Sequence, residues 1–111
     1  MDYQQNINRV ELQGTVGSVK VSTIAGKEFI RFTVATNMAF RDRRGEAVIE
    51  TTWHTCSARE GKGICPFGEI TKGAAVHLTG RLRASKYVGM DGTERSVVDI
   101  FVETLNTVKP L

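Results

Sequence analysis

Long apolar runs, paired cysteines and catalytic signatures are what this 111-residue chain lacks. No stretch approaches the roughly 20 apolar residues that a membrane span requires. The opening MDYQQNINRV has neither the basic nor the apolar part of a signal peptide, so the chain reads as cytoplasmic with no membrane partner. Two cysteines, Cys56 and Cys65, are too few for a disulfide scaffold and have no CxxC-type spacing, so free thiols are expected. With His54 and His77 they are scattered, whereas a structural zinc site draws its ligands in close pairs; no metal and no cofactor is expected. No carboxylate pair, no converging metal-binding acids and no Gly-rich phosphate loop appears. No catalytic residue is therefore assigned, and the chain is not read as an enzyme. Repeats, low-complexity tracts and linkers are missing as well, and the length suits a single domain over residues 1–111.

Composition decides little beyond this. A net charge of +3 and a pI near 9.1 are compatible with a polyanionic partner, but many proteins that bind none share them. A chain this small buries only about two-thirds of its unfolded surface, so self-association is a natural source of further stability.

Alternation is the informative signal. From Arg9 to Val21, Val10, Leu12 and Val16 fall in phase while Gly14 and Gly17 interrupt, which predicts a long strand that bends. Lys27 to Asn37 places Ile30, Phe32 and Val34 on one face. The charged segment FRDRRGE predicts a long hairpin tip carrying Phe40, and Ala47 to Ala58 the third strand. REGKGICPFGEITKG holds three glycines before Lys72 and one proline, which predicts an irregular connector with at most a turn or two of helix. In Ala75 to Tyr87, Val76, Leu78 and Leu82 point one way. Asp91-Gly92 marks a turn, and Ser96 to Val108 closes with Val98, Ile100 and Val102 in phase. Five strands with one connector between the third and fourth fit an all-β fold, the five-stranded OB-fold Greek-key barrel with extended hairpin loops.

Binding a single strand regardless of sequence needs flat rings for bases and cations for phosphates on one face. Parity puts Arg81, Arg83 and Tyr87 opposite Leu78 and Leu82. Lys86 has the other parity, but its long stem reaches round a strand end. Trp53 shares its phase with Thr51, Thr55 and Ser57, polar company that suggests an accessible indole. Phe40 sits beside Arg41, Arg43 and Arg44, which Asp42, Glu46 and Glu50 offset. Each residue alone has a plainer reading: Trp53 as core, Tyr87 as subunit contact, Phe40 as loop anchor, Arg81 and Arg83 as a solvated strand face. Their conjunction on one small barrel favours binding. Phe29, Phe32, Phe67 and Phe101 are read as packing residues.

NRVELQGTVG near the start, FTVATN at 32–37, ETTWH at 50–54 and GRLRASKY at 80–87 followed by a DG turn together resemble the bacterial single-stranded-DNA-binding proteins over nearly the whole chain. The resemblance implies an OB-fold that assembles as a homotetramer with single-stranded DNA wrapped on its surface. It implies stacking at Phe40, Trp53 and Tyr87, where the family prefers tryptophan at the first and third; on the reading of the residues themselves, DNA contacts are expected as well from Arg41, Arg43, Thr55, Arg81, Arg83 and Lys86. Arg59 stands where some members carry phenylalanine, and His54 matches a histidine near a subunit contact. Family members carry a flexible tail with an acidic tip that recruits other enzymes; this chain stops at NTVKPL, so tail-mediated partners are not expected. The expected role is to coat single-stranded DNA in replication, recombination or repair. Two alternatives stay open: a dimeric module like primosomal protein B, and a scaffold whose outward aromatics bury against a protein.

Overall fold

Strands with a period of two bury one face each, and here the buried faces close on one another. The computed structural model describes residues 6–109; residues 1–5 and 110–111 lie outside it, and with them part of the two readings made at the chain ends. The strands are β1 (Val10–Ile24), β2 (Lys27–Arg41), β3 (Ala47–Arg59), β4 (Ala75–Val88) and β5 (Glu94–Thr107). They form a closed barrel in the order β1-β2-β3-β5-β4, with β4 returning to β1. All neighbours run antiparallel except β3 and β5, which meet in parallel at only two pairs, Cys56 with Ile100 and Ser57 with Phe101. This is the OB-fold expected from the strand count.

The core is the set of in-phase residues: Val16 from β1, Ile30, Phe32 and Val34 from β2, Cys56 and Ala58 from β3, Val76 and Leu78 from β4, and Ile100, Val102 and Leu105 from β5. The connector contributes Ile70, just beyond a single 3-10 turn at Phe67–Glu69. No regular helix forms there, in keeping with its glycines and proline. Among the described residues no helix is long and apolar enough to cross a membrane.

Two bulges keep the core faces inward while the strands curve. On β1, Val16 pairs with Val34 and Val19 with Phe32, so Gly17 and Ser18 together face Thr33. The bend expected from Gly14 and Gly17 is this bulge. On β5, Gly80 pairs with Val102 while Thr79 pairs with Thr104, leaving Glu103 extra. The buried phase of β5 therefore switches between Val102 and Leu105, which simple alternation does not foresee. Gly80 is needed opposite this point, because a Cβ there would overlap the Phe101 carbonyl.

Expectations are corrected at two places. Phe40 and Arg41 are not in a hairpin tip but in β2, where Phe40 pairs with Val48 and Arg41 with Ala47. The tip proper is Asp42 to Glu46, where the Asp42 carboxylate accepts hydrogen bonds from the backbone N–H of Arg44 and Glu46, both at 2.9 Å. Leu82 and Val98 keep the phase of the core but are 50% and 61% exposed, because the β1 ladder on β4 ends at Gly80 and the β3 seam on β5 begins only at Ile100.

Both cysteines are free thiols. Burial, and secondarily the nearby Asp99 carboxylate, pushes the Cys56 thiol up to about 12; burial and then Glu69 raise Cys65 by less. Since the thiolate is the nucleophile, alkylation of the native protein near neutral pH should label Cys65 before Cys56, both more slowly than a free thiol. Mass spectrometry of a time course checks the order. Phe32→Ala, which empties the centre of the barrel, should cost about 3–5 kcal/mol in denaturant unfolding.

Candidate nucleic-acid interface

The outer face of β2 and β3 carries the residues that alternate with the core. Trp53 lies opposite Ala35, Thr55 opposite Thr33 and Ser57 opposite Arg31. Trp53 is 60% exposed, so the reading of it as a core residue is set aside. Its six-membered ring lies directly over Gly17, where any Cβ would overlap it and the Thr33 hydroxyl. The bulge that bends β1 thus also makes the bed for the indole. Alongside, the Thr33 hydroxyl accepts a hydrogen bond from the Ser18 N–H at 2.9 Å and bonds the Ser18 hydroxyl at 3.0 Å.

The outer face of β4 and β5 carries Arg81 and Arg83, whose guanidinium carbons lie 4.9 and 5.0 Å from the centre of the Phe101 ring. Both distances fall within the range of cation–π attraction. Neither arginine is a free cation. Arg81 is 3.3 Å from Glu103; Arg83 is 3.3 Å from the buried Asp99 and also donates to the Ser57 hydroxyl at 3.2 Å. Asp99 holds Arg83 with Oδ2, while its Oδ1 is buried without a hydrogen-bond partner among the described residues. The contact from Arg83 to Ser57 crosses the short β3–β5 seam and joins the two outer faces into one surface.

The sequence-derived residues divide into those this surface collects and those it does not. Trp53, Thr55, Arg81 and Arg83 lie on it. Tyr87 has the phase of Arg83 and is half exposed, but it pairs with Arg95 far out on the β4–β5 ribbon. Lys86 faces the other way and is 3.4 Å from Glu94. Phe40 has the phase of Phe32 and Val34, so the register places it on the face of the β2–β3 ribbon opposite Trp53. Arg41 has the phase of Trp53 but donates to the Gly45 carbonyl at 2.8 Å, and Arg43 is exposed in the tip. His54 faces inward, half buried, with Nε2 2.9 Å from the Thr36 hydroxyl. Among the described residues no group of histidines, cysteines and acids is placed to hold a metal.

Two residues on the surface were read as packing: Phe29 and Phe101 are only half buried and face outward. Phe29 lies opposite Arg59, whose guanidinium is 5.5 Å from its ring centre. Parity held the signal, since Phe101 alternates with Ile100 and Val102, and Phe29 with Ile30.

A closed five-stranded barrel of this strand order defines an OB-fold protein, and its outer face combines an exposed indole with ring-backed arginines. Comparison with known proteins narrows the class. The single-strand binding protein family matches residues 7–108, and the chain belongs to that family. A single-stranded DNA-binding protein of Neisseria meningitidis serogroup A is 34% identical over 97 residues, covering 86% of this chain and 56% of the relative. One from Xanthomonas campestris is 34% identical over 98 residues, covering 86% and 57%. The chain therefore spans a little over half the length of these relatives. Among solved structures, a Plasmodium falciparum SSB in complex with ssDNA superposes with a TM-score of 0.78 at 22% identity, covering 97% of this chain and 100% of that one. A single-stranded DNA binding protein from Thermus aquaticus gives 0.74 at 22% identity, covering 93% and 51%. At such identity these two structures speak for the fold.

Because the indole rests on Gly17, Gly17→Ala should lift it, shifting the emission of the sole tryptophan to the red and costing about 1–3 kcal/mol through overpacking. Fluorescence spectra and urea melts of the variant check both.

Proposed function

We propose that the protein binds and protects single-stranded DNA without regard to sequence, as one domain over residues 1–111, wherever replication, recombination or repair exposes a strand. Trp53 carries this reading: a large, exposed ring on a rigid bed, beside the polar edge of Thr55 and in line with Arg81 and Arg83. A base stacks on the indole because every base offers a π face, and the cations follow the phosphates. Tyr87 and Phe40 would take further bases out along the two ribbons, with Lys86, Arg41 and Arg43 beside them. No chemical step is part of this function, and no cofactor is needed for it.

The protein would act as a homo-oligomer in the cytoplasm, with a tetramer as the preferred state. Apolar side chains left outside the barrel support association: Met38, Ile49, Leu82 and Val98 are 50–70% exposed. His54, on the inward phase of β3, would lie toward such a contact. Sedimentation gives the copy number, and a stable monomer at micromolar concentration would remove this part of the reading.

Titration with oligo-dT should quench Trp53, and affinity should fall as salt rises, with a log–log slope near 0.7 per phosphate neutralised. Trp53→Ala should weaken binding by about 1–3 kcal/mol, measured by mobility shift. Unchanged emission together with no mobility shift at low salt would sink the proposal.

A further inference from the structure

Asp99 is the one charged residue that is buried among those described. It stands opposite Arg83 in the β4–β5 ladder, one residue before the seam pair of Ile100 with Cys56, in a cleft walled by Trp53, Thr55, Leu82 and Val98. Its Oδ2 lies 3.3 Å from the Arg83 guanidinium, and its Oδ1 is buried with no hydrogen-bond partner among the described residues. A buried acceptor left without a donor lowers stability, and a buried charge does so more strongly. Arg83 does not need the carboxylate to stay in place. Its guanidinium is partly exposed, rests on the Phe101 ring at 5.0 Å and donates to the Ser57 hydroxyl at 3.2 Å. Packing therefore gives no reason for an acid at this position, and a polar group kept at a cost to the fold points to a function.

Burial also sets Asp99 apart from the other acids of the β4–β5 ribbon. Glu103, Glu94 and Asp91, which pair with Arg81, Lys86 and Arg95, have side chains more than half exposed, so each can turn into solvent when a phosphate competes for its cation. The Asp99 side chain, 8% exposed, has no such freedom. A phosphate arriving at Arg83 meets a cation whose charge is already matched and, beside it, a carboxylate that stays. Salt screens a buried charge much less than an exposed one, so this opposition persists at ionic strengths that weaken the surface pairs.

We propose that Asp99 is a fixed counter-charge that restrains Arg83 and so limits the hold of the protein on a bound single strand. This role rests on the binding of single-stranded DNA by Trp53 and the arginines of β4 proposed above. Asp99 itself does not touch the strand; it acts through Arg83, as a positioning residue. A protein that covers a strand must also leave it, and differences in affinity between variants of one interface fall chiefly on dissociation. Asp99 thus sets how fast the strand is given up.

Asp99→Asn removes the charge at nearly constant volume, and Asp99→Ser removes it with a smaller side chain. Each should bind oligo-dT roughly three- to tenfold more tightly at low salt, with a log–log salt slope steeper by about 0.7, one further phosphate neutralised. Stopped-flow recording of Trp53 fluorescence should show the gain as slower dissociation. Combined with Arg83→Gln, either substitution should give no gain, because the cation it releases is missing. Thermal melts of Asp99→Asn should match or exceed those of the wild type, since a buried charge gives way to a neutral group and Arg83 keeps its solvent. Glu69→Gln on the connector makes the same change in net charge away from this face and should leave affinity and slope as they are. Unchanged or weaker binding by the folded Asp99 variants would overturn the proposal. An equal gain with and without Arg83 would overturn it by tracing the effect to net charge, and failure of both variants to fold would do so by making the carboxylate structural. Absence of any Trp53 quenching by oligo-dT in the wild-type protein would instead refute the binding of DNA, and the role of Asp99 with it.

Discussion

Two residue pairs close this barrel. β3 and β5 meet in parallel only at Cys56 with Ile100 and Ser57 with Phe101, and every other contact between strands is a longer antiparallel ladder. The inward partners of the seam, Cys56 and Ile100, are buried in the core, while the outward partners, Ser57 and Phe101, bring the arginines of β4 to the edge of β3. Without that meeting the molecule would be a curled sheet with two separate outer faces. With it, Trp53 on one hairpin and Arg83 on another belong to one surface.

The charges on that surface explain why net charge was a poor guide. Most outward cations on β4 and β5 are balanced locally: Arg81 by Glu103, Arg83 by Asp99, Lys86 by Glu94 and Arg95 by Asp91. Apart from Arg83 with the buried Asp99, these are exposed pairs, which contribute little to stability. On the neighbouring face Lys20, Arg31 and Arg59 have no ion-pair partner among the described residues, and Arg59 lies over the Phe29 ring.

Much of the fold was legible in advance. All five strands are where alternation placed them, to within a few residues, because each buries one face and the period of two survives any context. The bulge at Gly17 was legible for the same reason: glycine breaks the pattern. Glu103 was not, since a bulge without a glycine on its own strand leaves no local mark. Phe40 was misplaced because charge and glycine in FRDRRGE suggested a wide loop, whereas cross-strand pairing carries β2 on to Arg41 and only Asp42 to Glu46 turn. Leu82 and Val98 share the phase of core residues and are nevertheless exposed, because phase says which way a side chain faces and nothing about where the barrel ends.

Trp53 shows where the two kinds of information part. Its outward phase on β3 follows from the residues around it, and so does the family pattern to which it belongs, because local order and spacing are properties of the chain alone. Its companions were a different matter. That the indole lies on Gly17 follows from the β1–β2 and β2–β3 ladders and that Phe101 seats two arginines from the β4–β5 ladder, whereas the approach of Arg83 to Ser57, Arg31 and Arg59 depends on the barrel closing through β3 and β5. The three arginines alone span 52 positions in sequence, from Arg31 to Arg83. Periodicity assigns a side chain to a face, and only the packing of strands onto one another decides which faces become neighbours.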